Sequence, residues 1–172
     1  MNKTDFLETV VAPTLAAMDA DNLAARRLVM ATALVESGDL EFTRQRLGRG
    51  RYGAGLGFFQ MEMATAIWLA HDYLVRRPDV GDRLEAAFNL LSAVDLDWSD
   101  VDTAALEAKM LTDLRFQCAM CRLRYMVVPK PLPHADDLDG LAKYWLRHYN
   151  AGGKGTLDKF RTHAAWVMEQ VK

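Results

Sequence analysis

The residues best equipped for chemistry lie between Ala33 and Gln60, in the run A-L-V-E-S-G-D-L-E-F-T-R-Q-R-L-G-R-G-R-Y-G-A-G-L-G-F-F-Q. A helical stretch carries Glu36 into its last turn, and Ser37 and Gly38 follow at once. Five glycines then fall between Gly48 and Gly57, and Phe58 and Phe59 lead to Gln60. A carboxyl is thereby handed from a packed helix to the lip of a backbone-exposing loop. An apolar wall of Leu34, Val35 and Phe58 can raise its pKa while the loop leaves room for a substrate, as a general acid requires. A glutamate at a helix C-terminus also opposes the helix dipole, so a purely structural role is unfavourable there.

Nine of the 11 glycines lie in two places, Gly38 to Gly57 and Gly152 to Gly155. Glycine is costly where no special backbone geometry is needed, so two such turns beside helix ends suggest the two walls of a groove. The second turn follows Tyr149 and Asn150. Other chemistries fit less well. His71, His134, His148 and His163 lack metal-ligand spacing, and no metal or cofactor is expected. Cys118 and Cys121 form a lone C-x-x-C inside an apolar helical run, which reads as two buried free thiols.

Taken together, Glu36-Ser37, Gly57-Phe58-Phe59-Gln60-Met61 and Tyr149-Asn150-Ala151-Gly152 resemble the three signatures of the lytic transglycosylases and goose-type lysozymes of the lysozyme-like superfamily. The resemblance extends over most of the chain from about Leu28 to Phe160 and is closest to the compact versions carried by tailed bacteriophages. It implies an α+β lysozyme-like fold and cleavage of the β-1,4 bond between MurNAc and GlcNAc in peptidoglycan. Glu36 would be the catalytic acid, with Ser37, Tyr52, Gly57, Phe58, Gln60, Tyr149 and Asn150 forming the substrate-binding groove. Gln60 and Asn150 would orient glycan or N-acetyl groups, and Tyr149 would offer a hydroxyl to the acid or the sugar. Tyr52, Phe58 and Phe59 could stack on sugar rings, with at most one of the two phenylalanines facing the groove.

The chain departs from that pattern at Phe58 and Phe59, where the family prefers a slim residue and Met. It also has no acid between Gly48 and Gly57, where goose-type lysozymes often hold the attacking water with an aspartate. Asp39, Glu41 and Glu62 are the alternatives, each also explicable as a solvated or capping residue. A glycosidase usually needs two carboxyls. With one, the resemblance implies the transglycosylase route, in which Glu36 acts as acid and then as base and the product is a 1,6-anhydro sugar. A virion structural protein that keeps the fold without the activity is the alternative.

The elements that must position these groups are mostly helical. Asp5, with Glu8 in a capping box, predicts a first helix that Pro13 breaks or kinks. Asp21 opens the helix that carries Glu36, with Arg26 and Arg27 on its wet side. Phe42 to Gln45 and Leu56 to Phe59 suggest a short hairpin across the glycine loop. Helices are expected from about Glu62 to Arg76, stopping at Pro78, and from Arg83 to about Ala93 with Leu84, Ala87, Leu90 and Leu91 inward. Asp95 to Asp102 reads as an acidic connection anchored by Trp98, and Thr103 opens a short helix. The longest and most central helix is expected from about Asp113 to Val127. Pro129, Pro131 and Pro133 impose an extended connection. Asp136 or Asp137 then starts a helix through Tyr149, and Thr156 caps the last one. The expectation is a single mainly α domain over residues 1–172, with about seven helices and a small glycine-rich loop or β-hairpin lobe.

Composition narrows the partners. The 172 residues are 51% hydrophobic and 26% charged with a net charge of −2, typical of a globular domain and no general attractant for nucleic acid or anionic membranes. Arg44, Arg46, Arg49 and Arg51 beside Tyr52 fit a nucleic-acid contact, the less favoured reading, the acidic peptide stems of peptidoglycan, or a simply solvated loop. No apolar run approaches ~20 residues, so no membrane span is expected. No signal-peptide pattern opens the chain, which suggests synthesis in the cytoplasm. A phage-encoded protein would be virion-associated, in contact with other virion proteins, or released to the periplasm.

Overall fold

The computed structural model describes residues 1–89, Trp98 and 102–172, with the side chains of 87–89 outside that set. It is mainly helical, with one small three-stranded antiparallel sheet. Helices α1 (Lys3–Phe6) and α2 (Ala12–Ala17) are joined by a π-helical segment, Leu7–Val11. Asn2, not Asp5, caps this rod by accepting from Thr4 N and Asp5 N. Pro13 does not break it. The wider π turns absorb the ring, and the Thr9 carbonyl that Pro13 cannot serve accepts Arg115 Nε at 3.3 Å.

Helix α3 (Leu23–Ser37) is capped by Asn22, while the expected cap, Asp21, forms an ion pair with Arg26. Arg27, expected in water, is 5% exposed. The returning C-terminus covers its face, and its guanidinium donates to the carbonyls of Val171 and Ala135 and pairs with Asp136.

The sheet runs in the order β1 (Arg44–Gly48), β2 (Arg51–Leu56), β3 (Met61–Glu62). Arg46 opposes Tyr52 and Leu56 opposes Met61. Arg49 and Gly50 form the tip, both at positive φ (52° and 73°), the twist a two-residue hairpin favours. The expected strand Leu56 to Phe59 is therefore a turn for most of its length. Glycine at 57 lets the chain reverse, and burial of both phenylalanines pins the reversal against the core.

Helix α4 (Met63–Trp68) continues as a π segment, Leu69–Leu74. That helix ends before Pro78, as expected, and Pro78 then opens α5 (Pro78–Asn89), because a proline at a first helical position forfeits no hydrogen bond. Leu84 is buried as expected; Ala87, Leu90, Leu91 and the expected end near Ala93 lie outside the described set. So does Asp95 to Asp102, apart from a buried Trp98 and Asp102, which caps α6 (Thr103–Thr112).

Helix α7 (Leu114–Met126) is central but not longest: it has 13 residues against 15 in α3. Cys118, Cys121 and Tyr125 on α7 join a core with α3, α8 (Leu138–His148) and α9 (Leu157–Gln170). Its Phe116, Ala119, Met120 and Leu123 join a second core with α4, α5 and α6. The axis of the fold is thus a helix buried on both sides. Both cysteines are free and buried, and burial pushes both thiols up. No helix of the described residues is long and apolar enough to cross a membrane.

Candidate functional site

Helix α3 ends under constraint. Gly38, Asp39 and Leu40 all take left-handed conformations (φ 65°, 62° and 66°), costly for the last two. The strain is held by specific contacts. Ser37 Oγ donates to Ala33 O at 2.6 Å and accepts from Leu40 N at 2.8 Å. Asp39 is gripped by Lys3 at 3.0 Å and His163 at 3.1 Å. Ser37 is fully buried and acts on the turn, outside any groove.

That pinned turn presents Glu36 to a cleft of about 490 Å³. Its other walls are Gln45 and Leu47 of β1, Gln60 to Glu62, Thr65, Arg124 of α7, and the segment from Tyr149 to Lys154. Asn150 Nδ2 and Trp145 Nε1 both donate to Glu36 Oε1, at 3.2 and 3.0 Å. The amide of Asn150 cannot be turned round, because its Oδ1 accepts from Gly155 N at 3.0 Å and a backbone N–H only donates. With Oε1 occupied by two donors, the proton of a neutral Glu36 belongs on Oε2.

Burial raises the Glu36 pKa; the Asn150 and Trp145 hydrogen bonds and the positive charge of Lys159 oppose it, and the net shift is upward. Asp39, three residues on, moves the other way. Burial pushes it up, but His163 and Lys3 outweigh that and hold it low.

The remaining expected site residues divide. Gln60 lines the cleft, yet its Nε2 braces the turn by donating to Gly57 O at 2.6 Å and Phe42 O at 3.3 Å. Tyr149 also lines the cleft, but its hydroxyl, expected near the acid or sugar, donates to Phe59 O at 2.8 Å. Gly57 is buried at φ 68°, where a Cβ would come within 2.5 Å of Gln117 and 2.7 Å of Met110 O. Phe58 and Phe59 are both in the core beside Phe6, so neither offers a sugar platform. Tyr52 is 55% exposed but lies on another surface of the hairpin, beside Arg44 and Arg46. Gly48 to Gly57, expected as the lip, lines none of this cleft; the preceding strand does, through Gln45 and Leu47.

Three contributors were not legible as such: Trp145, Lys159 and Arg124. Trp145 sits one helical turn before Tyr149, which was the available signal. Among the alternative acids, Glu62 lines the cleft, Asp39 is committed to Lys3 and His163, and Glu41 lies beside Tyr52. Among the described residues no group of three His, Cys, Asp or Glu is placed to hold a metal.

Comparison of the chain with protein-family models, with curated proteins and with solved structures finds no match.

Proposed function

We propose that this protein cleaves the MurNAc–GlcNAc β-1,4 bond of peptidoglycan as a one-carboxyl enzyme of the lytic transglycosylase type. The observation that carries the reading is Glu36 at a cleft wall, its pKa raised by burial and its Oε1 held by Trp145 and Asn150. An acid whose pKa is raised stays neutral to higher pH than an ordinary glutamate and can protonate a leaving oxygen. Its free oxygen, Oε2, carries that proton.

In the proposed sequence Oε2–H gives its proton to the glycosidic oxygen as the C1–O bond breaks. The carbonyl oxygen of the sugar's own N-acetyl group bonds to C1 in its place. The Glu36 carboxylate then takes the proton of the C6 hydroxyl, whose oxygen bonds to C1 and displaces the acetamido oxygen. The product is a 1,6-anhydro sugar, and Glu36 is protonated again. Asn150 and Trp145 stabilise the carboxylate that exists between the two steps. Glu62, exposed on β3, is the one other carboxylate lining the cleft among the described residues, and this route does not use it.

Digestion of purified peptidoglycan followed by mass measurement of the fragments tests the reading. The expected fragments are lighter by one water than the products of hydrolysis. Reducing ends would replace the transglycosylase route with hydrolysis, and no fragments at all would overturn the enzyme reading. Glu36→Gln keeps shape but removes the proton, and should cost at least ~10²-fold in rate.

A further inference from the structure

Successive residues of α7 serve two different cavities. Arg124 lines the Glu36 cleft, whereas Arg122, Tyr125 and Met126 line a second one of about 520 Å³. That volume is in the range of small-molecule sites. Among the described residues the second cleft contains Arg77, Arg122 and Lys130 but no carboxylate.

Its polar wall groups are mostly committed elsewhere. Tyr125 shares a hydrogen bond with Thr32 at 2.7 Å, Tyr144 donates to Lys130 O at 3.2 Å, and Tyr73 donates to Met126 O at 3.5 Å. The tyrosines therefore present rings, continued by Leu132. Arg77 is neutralised by Asp79 through two contacts of 3.0 Å. Arg122 and Lys130 have no carboxylate partner among the described residues. Arg122 is half-buried and donates only Nε, at 3.5 Å, to Ala20 O. Burial pushes its pKa down. Nearby, burial and then the charges of Arg147, Arg124 and Lys130 push His148 down.

A partly desolvated guanidinium without a counter-ion is unfavourable, and its planar fork matches an oxyanion. Two cations with no carboxylate partner among the described residues match a dianion, which a phosphate monoester approaches at neutral pH and a carboxylate does not. We propose that this second cleft binds a phosphate monoester on an aromatic or apolar carrier. Arg122 grips the phosphate, Lys130 completes the charge, and the carrier lies on Tyr73, Tyr144 and Leu132. This site is independent of the chemistry at Glu36.

The full chain is titrated calorimetrically with phenyl phosphate, inorganic phosphate, benzoate and phenol, with the Arg122 Nε–Hε NMR signal followed in parallel. Phenyl phosphate should bind saturably and most tightly of the four, shifting that signal, and should weaken as salt is raised. Arg122→Gln should weaken it at least ~10-fold and Lys130→Gln ~3-fold. Arg122→Lys, which keeps the charge and loses the fork, should fall between wild type and Arg122→Gln. It and the exposed Lys130 variant keep the test decisive if Arg122→Gln does not fold. Glu36→Gln should bind phenyl phosphate as the wild type does. Benzoate binding as tightly as phenyl phosphate would overturn the dianion assignment. Absence of saturable binding, or affinity unchanged in the Arg122 and Lys130 variants, would overturn the site.

Discussion

The two glycine-rich segments look alike in sequence and behave differently in the fold. At the hairpin tip a Cβ on Gly48 or Gly50 would meet nothing within 4 Å, and both residues are glycine for their positive φ (79° and 73°). In the second segment Gly155 has an unremarkable φ, yet a Cβ there would collide with the Trp145 ring and the side-chain Oδ1 of Asn150. Gly48 and Gly50, like Gly152 in the second segment, need glycine for a turn. Gly155 needs it for close approach to the two side chains that hold Glu36. Glycine content marks a site only where the missing side chain would have touched it.

The largest expected effect that separates them is from Gly155→Val. Its branched side chain must displace Trp145 or Asn150, so cleavage of peptidoglycan should fall ~10²-fold, with stability lower by ~1–3 kcal/mol in denaturant unfolding. Gly57→Ala sharpens the comparison, because Gly57 belongs to the hairpin segment but packs like Gly155. Collision with the backbone oxygen of Met110, at 2.7 Å, and a φ of 68° should together cost ~2–3 kcal/mol. Gly48→Ala and Gly50→Ala should cost only ~1 kcal/mol each, the left-handed penalty, with cleavage retained. Equal losses at Gly48 and Gly155 would break the distinction.

Smaller still are the effects on protonation. Removing the amide in Asn150→Ala withdraws a donor that favours the carboxylate, so the Glu36 pKa should rise further, read from the acid-to-neutral profile of the cleavage rate. The stability profile carries the same sign. A folded pKa above the unfolded one means the native state binds more protons, so the stabilisation is full below the ordinary glutamate range. It is lost as pH rises through the folded value. Asp39 has the opposite sign: its contribution is present above the unfolded value and lost as pH falls through the lowered folded one. Glu36→Gln should remove the first slope and leave the second.

Much of this was legible in the chain. Periodicity located α3, apolar content located α7, and the caps at Asp137 and Thr156 located α8 and α9, while the abrupt end of α3 at Glu36-Ser37-Gly38 pointed to the cleft. Asn150 was legible through its glycine-rich surroundings. What escaped depended on tertiary cover. Arg27 looks like a wet-face residue until the C-terminus returns over it, and Phe58 looks like a platform until Phe6 meets it. Caps were displaced, Asn22 for the adjacent Asp21 and Asn2 for Asp5, because nearby cap formers compete on geometry that composition does not record. Trp145 reads as a core aromatic, and only the fold shows its N–H meeting Glu36.

The central claim is that Glu36 is an acid whose pKa is raised by its surroundings. Site-resolved NMR titration of the side-chain carboxyl carbons of the intact protein measures this directly. The Glu36 midpoint should lie above the ordinary glutamate range, with Asp39 below the ordinary aspartate range in the same spectra. A Glu36 midpoint at or below the ordinary glutamate range would contradict the account.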